Sequence, residues 1–284
     1  MSDTTKKIIV IVVGLVIAIA LIVGVVVLAK SNSEKEANVS TAKTTSYSNE
    51  SKATSSSNNN IESNNVQSND GGDTKMSEID FAANAEKQFA MPEKGEQVAT
   101  IKVKDFGDIK VKFFPEVAPK AVENFVTHAQ EGYYDGTTFH RIMEEFMIQG
   151  GDPLGDGTGG ESIWGTGFGT ELDYSLVPYR GSLCMAMSSL PNSIGSQFFI
   201  TQANFSEQMY NYLKSSYPVG LLNQYRDHGG YLSLYMQYTV FGQVYEGMDV
   251  VDAIAKVEKT RSTRGELSIP LEEVVIETIE VGTY

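Results

Sequence analysis

Residues 139–151 read FHRIMEEFMIQGG, two short apolar runs separated by a pair of acids and closed by a pair of glycines. Alternate side chains of a strand share a face, so each run suits a strand and Glu144-Glu145 suits the turn between them. Arg141 then points to the face opposite its two neighbours. On this pattern alone, the simplest interpretation is a β-hairpin whose arginine faces solvent.

These residues also resemble the signature of the cyclophilins, a family of peptidyl-prolyl cis/trans isomerases. In that family Phe-His-Arg and Phe-Met-x-Gln-Gly-Gly-Asp form one wall of the active site. Here residues 139–141 read FHR and residues 146–152 read FMIQGGD. The match identifies the arginine as a candidate catalytic residue.

Two further blocks are similar to cyclophilin motifs in the same order. One is MA at 185–186 followed by PNSIGSQFFI at 191–200, and the other is YTVFGQV at 238–244. Three ordered blocks at family-like spacing are more specific than any single motif. The resemblance extends from about Gly95 to the C-terminus, and it includes features typical of Gram-positive bacterial members.

Composition limits the possible functions. The chain has 284 residues and a formal net charge of −14 at pH 7, which argues against nucleic acid as a partner. The single cysteine, Cys184, excludes an intramolecular disulfide framework and predicts buried packing. The three histidines lack metal-ligand spacing, and the glycine-rich residues 150–160 lack the lysine of a phosphate loop. We therefore expect no metal and no cofactor.

Residues 8–29 contain no polar side chain. As a helix they would span roughly 33 Å, enough for the hydrocarbon core of a bilayer. They predict one transmembrane helix after a short tail at 1–7. A cleaved signal peptide is the competing interpretation, but its apolar region is usually shorter, about 7–15 residues. Lysines flank both ends, so charge alone leaves the orientation open; the very short tail favours an inside N-terminus and an extracellular domain.

The remaining chain is predicted to contain a linker and one domain. Residues 30–94 form the linker, which is rich in Ser, Asn and Thr up to about residue 74. Such a composition buries too little apolar surface to offset the entropy of ordering and predicts disorder. Residues 76–89 could form a short helix before the domain begins at residue 95. The domain is predicted to cover 95–284.

An insertion at 203–230 looks like the longer segment of some Gram-positive bacterial cyclophilins. Phe205, Met209 and Leu213 are spaced four residues apart. That spacing places them on one face of a helix, which predicts a helix that docks on the domain.

Apolar periodicity predicts eight strands and two helices in the domain. The strands are expected at 98–103, 109–114, 138–142, 146–149, 183–187, 197–201, 239–244 and 274–281. The helices are expected at 119–132 and 249–257. Together with the resemblance, this implies a mainly β fold: a closed eight-stranded antiparallel cyclophilin-like barrel capped by two helices.

Isomerising an X-Pro bond needs no nucleophile, because the barrier of about 18–20 kcal/mol is the lost resonance of the amide. By the resemblance, Arg141 donates a hydrogen bond toward the prolyl nitrogen, and Gln149 holds both Arg141 and the substrate carbonyl. The resemblance also assigns substrate-binding residues: Phe146, Met147, Phe199 and Leu234 in the proline pocket, Ala186 and Gln197 in the groove for preceding residues, and Tyr238 at a family histidine position.

One wall of the predicted pocket departs from the family. Ser233 falls where the eukaryotic relatives have a tryptophan that contacts cyclosporin, the peptide inhibitor that occupies the proline pocket. The absence of this tryptophan predicts weak cyclosporin binding. Tyr235 is the nearest candidate to replace the missing ring.

These observations predict a membrane-anchored prolyl isomerase that assists the folding of exported proteins at the outer face of the cytoplasmic membrane. Its partners would be proline-containing polypeptides and, through the N-terminal helix, the lipid bilayer. The altered wall keeps one alternative open, a cyclophilin-fold peptide-binding module or chaperone with weak or no isomerase activity.

Overall fold

A computed structural model describes residues 76–284 of the chain. The predicted tail at 1–7, the predicted transmembrane helix at 8–29 and the linker up to residue 75 lie outside the described residues. From residue 76 onward, no helix is both long enough and apolar enough to cross a membrane.

Ten strands and five α-helices make up the described residues. The strands are β1 (Gln97–Val103), β2 (Gly107–Phe113), β3 (Arg141–Met143), β4 (Met147–Gly150), β5 (Ser182–Met185), β6 (Phe198–Thr201), β7 (Val240–Glu246), β8 (Lys259–Arg261), β9 (Leu267–Pro270) and β10 (Ile276–Thr283). The helices are α1 (Phe81–Phe89), α2 (Pro119–Gln130), α3 (Glu207–Leu213), α4 (Val219–His228) and α5 (Met248–Ala255).

Eight strands form one antiparallel sheet in the order β10-β1-β2-β7-β5-β6-β4-β3. They are the eight predicted strands, with ends shifted by a few residues, and the mainly β fold is confirmed. No ladder joins the edge strands β3 and β10 in the described sheet. The segment before β3 approaches the start of β10 instead: the Phe139 N–H donates to the Val274 carbonyl at 2.9 Å, and the Ile276 N–H donates to the Thr137 carbonyl at 2.8 Å. The pairing therefore supports a half-barrel, and complete closure stays a prediction.

The two predicted helices, α2 and α5, cover the main hydrophobic core. Pro119 occupies the first turn of α2, where its missing N–H costs nothing. Ala121, Phe125 and Ala129 are buried at helical spacing. The Phe125 ring meets that of Phe198 on β6 edge to face, with centroids 5.2 Å apart. This packing joins α2 to the strand that also carries part of the predicted site.

Helix α1 is the short helix that residues 76–89 were expected to be able to form. The disorder predicted for the linker at 30–94 does not hold for these residues. The Asp80 side chain caps the helix, and Phe81, Ala85 and Gln88 are buried. At the other end, Nζ of Lys112 donates to two helix-end carbonyls at 2.6 and 3.0 Å. The folded domain therefore begins before residue 95.

The insertion contains two helices, α3 and α4, where the sequence predicted one. Met209 and Leu213 are half-buried against one hydrophobic cluster, which confirms that they share a face of α3. Phe205 is buried in the same cluster, but it precedes the helix, so its predicted place on that helical face is wrong. Helix α4 was not predicted. Together with Phe81 of α1, the buried side chains of α4 form this second hydrophobic cluster, apart from the main core. These side chains are Leu221, Leu222 and Tyr225.

Strands β8 and β9 form a separate two-stranded hairpin that was also not predicted. Its strands are only three and four residues long, too short to show a clear alternation. The hairpin contacts β3, and its tip is held by the Ser262 N–H donating to the Glu266 carbonyl at 2.8 Å. It therefore brings Glu266 to the strand that carries Arg141.

Candidate active site

Arg141 and Gln149 lie directly opposite each other in the β3–β4 hairpin. The neighbouring pair, Ile142 and Ile148, is fully buried in the core, so Arg141 and Gln149 face the other side of the sheet. Nη1 of Arg141 donates to Oε1 of Gln149 at 3.1 Å. The structure thus brings the two predicted catalytic residues into contact, with the arginine side chain only 33% exposed.

Phe146 lies in the turn before β4, where its N–H donates to the Met143 carbonyl at 3.1 Å. In a continuous strand, Phe146 and Met147 would point to opposite faces. Because Phe146 precedes the strand, both side chains contact the same apolar cluster. The guanidinium carbon of Arg141 lies 5.7 Å from the centre of the Phe146 ring.

A third hydrophobic cluster lies next to Arg141. Its buried members are Met147, Cys184, Phe199, Leu234 and Val240. The half-buried side chains packed against it are Met143, Phe146, Leu176, Ala186, Tyr231 and Tyr238. All four residues predicted for the proline pocket therefore belong to one patch. Met147 connects this patch to the arginine, with its Sδ 3.8 Å from Nη1.

Gln149 begins a chain of amide hydrogen bonds along the polar edge of the site. Its Nε2 donates to Oε1 of Gln197 at 2.9 Å, and Nε2 of Gln197 donates to the Gly159 carbonyl at 2.8 Å. The Ala186 N–H donates to the Gln197 carbonyl at 2.9 Å. Gln197 and Ala186, both predicted to line the peptide groove, are thus adjacent and linked to Arg141 through Gln149.

Glu266 is a site residue that sequence reasoning missed. Its Oε2 accepts a hydrogen bond from Nε of Arg141 and its Oε1 accepts one from Nη2, both at 2.7 Å. Hydrogen bonds from Arg141 hold the pKa of Glu266 below its ordinary value, because they favour the charged carboxylate. The two residues are 125 positions apart in the chain, so no local sequence pattern could have paired them.

The altered wall of the pocket contains a 3-10 turn at Leu232–Leu234. Ser233 is exposed in this turn, while Leu234 is buried in the third cluster. The Leu234 carbonyl accepts from the Tyr238 N–H at 3.1 Å, which fixes the end of the wall. Both residues predicted here for substrate binding therefore lie at the cluster.

Tyr235 does not face the predicted pocket. It packs in the second cluster, and its hydroxyl donates to the Tyr174 carbonyl at 3.2 Å. Tyr231 lies against the pocket instead, with its ring centroid 4.5 Å from that of Phe146. This corrects the expectation that Tyr235 takes the place of the missing tryptophan.

Cys184 is fully buried beneath the patch, as its apolar surroundings predicted. Burial raises the pKa of its thiol, so the side chain stays protonated at neutral pH and acts as packing. Among residues 76–284, no group of three His, Cys, Asp or Glu side chains could hold a metal ion.

Comparisons with known proteins agree with this geometry. A family model described as "Cyclophilin type peptidyl-prolyl cis-trans isomerase/CLD" matches residues 98–281. A Staphylococcus haemolyticus protein named "Putative peptidyl-prolyl cis-trans isomerase" is 46% identical over 177 residues, which are 62% of this chain and 86% of that protein. A Staphylococcus aureus protein of the same name is 45% identical over 177 residues, 62% of this chain and 87% of its own.

A solved structure shows the same similarity. The crystal structure of a cyclophilin type peptidyl-prolyl cis-trans isomerase from Cryptosporidium parvum matches with a TM-score of 0.53 and 30% identity, covering 66% of this chain and 99% of that one. The matched family region begins in β1, ends in β10 and includes every residue of the site described above. The chain therefore belongs to the cyclophilin-type peptidyl-prolyl cis-trans isomerases.

Proposed function

We propose that this isomerase acts on proline-containing segments of exported polypeptides, with Arg141 as the residue that stabilises the twisted bond. The single observation that carries this proposal is the contact between Arg141 and the third cluster. A cationic donor lies beside a concentrated apolar patch, and the two meet at Met147. An X-Pro segment offers the matching pair, an apolar ring and an amide nitrogen.

The reaction then follows from the loss of amide resonance. As the bond twists, the prolyl nitrogen regains its lone pair and becomes a hydrogen-bond acceptor. Arg141 would donate to that lone pair, which exists only in the transition state, so the contact lowers the barrier without tightening ground-state binding. A hydrogen bond from a charged donor is worth about 1.5–3 kcal/mol, or one to two decades of rate.

The substrate side of the proposal rests on the apolar patch and the amide chain. Phe146, Met147, Phe199 and Leu234 would hold the proline ring, and Gln149 would orient the preceding carbonyl. The Cryptosporidium parvum protein has also been crystallised in the presence of the dipeptide Ala-Pro, and that structure matches this chain with a TM-score of 0.52 at 31% identity. We take Ala-Pro peptides as the first substrates to test.

The activity test compares the full-length chain with Arg141→Ala in a protease-coupled assay on an Ala-Pro peptide. The expected result is turnover by the wild type and a loss of one to two decades in the variant. If the wild type accelerates isomerisation no more than the variant does, Arg141 has no part in the reaction.

The proposed location rests on the sequence. The apolar residues 8–29 would anchor the chain in the cytoplasmic membrane, and the domain would lie on the outer side, where exported chains emerge. The test is to recover the protein with carbonate-washed membranes and to add protease to intact protoplasts. Anchoring predicts a membrane-bound protein whose domain is removed by the protease. A domain protected until lysis would place it on the inner side.

A further inference from the structure

Each of the five N–H donors of Arg141 has an acceptor in the structure. Nε and one Nη2 donor reach the Glu266 carboxylate at 2.7 Å, and one Nη1 donor reaches Oε1 of Gln149 at 3.1 Å. The two remaining donors reach thioether sulfurs. These are Nη2 to Met143 at 3.2 Å and Nη1 to Met147 at 3.8 Å.

The five contacts are not equal in strength. A carboxylate that accepts two hydrogen bonds from one guanidinium is among the strongest partners in proteins, whereas a thioether sulfur is a weak acceptor. The two Arg141 N–H groups that contact sulfur can therefore be transferred to a substrate acceptor at little energetic cost. Of these, the Nη1 donor beside Met147 lies at the proposed proline pocket.

We propose that Glu266 is a positioning residue for the isomerase reaction. By binding Nε and Nη2 together, its carboxylate fixes the plane of the Arg141 guanidinium and leaves the Nη1 donor directed toward the prolyl nitrogen. The proposal rests on the proposed function of Arg141, since Glu266 acts only through that side chain.

Glu266 can hold the arginine because its own backbone is fixed by other contacts. Its carbonyl accepts from Ser262, and the neighbouring Gly265 carbonyl accepts from Nη1 of Arg261 at 2.6 Å. At the base of the hairpin, Nζ of Lys259 donates to two carbonyls at the end of α5, at 2.7 and 2.8 Å. The hairpin is thus anchored without Arg141, so the carboxylate orients the arginine and not the reverse.

A competing role for Glu266 would have the opposite effect on the reaction rate. If Glu266 occupied Arg141 in place of substrate, the ion pair would inhibit the enzyme and its removal would speed the reaction. The geometry favours positioning, because the carboxylate leaves the pocket-side Nη1 free of any strong acceptor other than Gln149.

The experiment measures an Ala-Pro peptide by exchange NMR with the full-length chain, which separates peptide affinity from the rate of interconversion on the enzyme. The variants are Glu266→Gln, Arg141→Ala and the double variant, with Glu272→Gln as control, an exposed glutamate two residues beyond the hairpin. An amide keeps one acceptor but turns its NH₂ group toward the guanidinium. We expect Glu266→Gln to slow interconversion about tenfold and to change affinity less than about twofold.

The double variant separates positioning from a general structural effect. If Glu266 acts through Arg141, adding Glu266→Gln to Arg141→Ala should cause no further loss of rate. An active wild type with an equally fast or faster Glu266→Gln overturns the positioning role alone, and so does an additive loss in the double variant. A wild type without turnover overturns the proposed function together with this role.

Discussion

Gln88 and Val177 exchange two hydrogen bonds although they lie 89 residues apart. Nε2 of Gln88 donates to the Val177 carbonyl at 2.8 Å, and the Val177 N–H donates to Oε1 of Gln88 at 3.1 Å. The same Nε2 lies 3.1 Å from Oγ of Ser182 and from Oε1 of Gln243. A buried amide on α1 thus contacts side chains of strands β5 and β7, which makes α1 an integral part of the domain.

Gln88→Ala should lower the free energy of unfolding by about 1–3 kcal/mol, because it leaves the buried Val177 N–H without its acceptor. Chemical denaturation followed by circular dichroism measures the change. The matched control is Glu86→Ala on the exposed face of the same helix, which should be close to neutral. Equal stabilities of the two variants would mean that α1 is not docked in solution.

Arg141→Ala should leave the domain folded while turnover falls by one to two decades. Arg141→Lys is the informative companion. Lysine keeps the charge but lacks the planar fork that binds the two oxygens of Glu266, so it should recover little of the lost rate. Circular dichroism and the protease-coupled assay check both statements. Full activity of Arg141→Lys would show that charge alone is sufficient.

The sequence predicted the parts of the fold whose packing is local or periodic. Strand β1 alternates buried and half-buried residues from Ala99 to Val103, and α2 places its apolar residues at helical spacing after Pro119. Resemblance placed Arg141, Gln149 and the pocket residues. The structure brings these together, while their roles stay predictions.

The missed features depend on contacts between distant residues. A short helix at residues 76–89 was foreseen, but its docking on the domain was not, because the partners that bury Gln88 lie 89 or more residues away. Glu266 reads as one charge among several in a hairpin of very short strands. In the wall of the pocket, the 3-10 turn at Leu232–Leu234 places Tyr231, and not Tyr235, against Phe146. The spacing of apolar residues in the sequence does not predict such a turn.

Acid should weaken the contact between Glu266 and Arg141. The groups around the carboxylate are Arg141, Ser268 and Arg264, and together they lower its pKa from the ordinary value of 4.5. For a carboxyl group with a lowered pKa, the contact is intact above pH 4.5 and is lost as the pH falls through the lowered value. Exchange NMR should show an acidic loss of rate below pH 4.5 in the wild type that is absent from Glu266→Gln. Parallel profiles for the two proteins would contradict this.

Cyclosporin should bind the pocket of this protein only weakly. In the family, a tryptophan at the position aligned with Ser233 supplies ring area and an indole N–H to the bound inhibitor. Ser233 is exposed and supplies neither. Losing most of a buried aromatic contact costs about 2–4 kcal/mol, or roughly two to three decades in dissociation constant. Inhibition of the wild type should therefore be weak, and Ser233→Trp should strengthen it, as measured by titrating cyclosporin against isomerase activity.

Tyr231 provides the control for this prediction. Its ring stands 4.5 Å from Phe146 and is half-buried, and burial raises the pKa of its hydroxyl. If the wild type binds cyclosporin tightly after all, Tyr231 is the side chain that replaces the tryptophan, and Tyr231→Ala should then weaken inhibition by the same two to three decades. Proline turnover should suffer less in that variant, because the smaller ring of the substrate relies on Met147 and Phe199 deeper in the patch. Tight inhibition that survives Tyr231→Ala would show that the inhibitor does not depend on this wall.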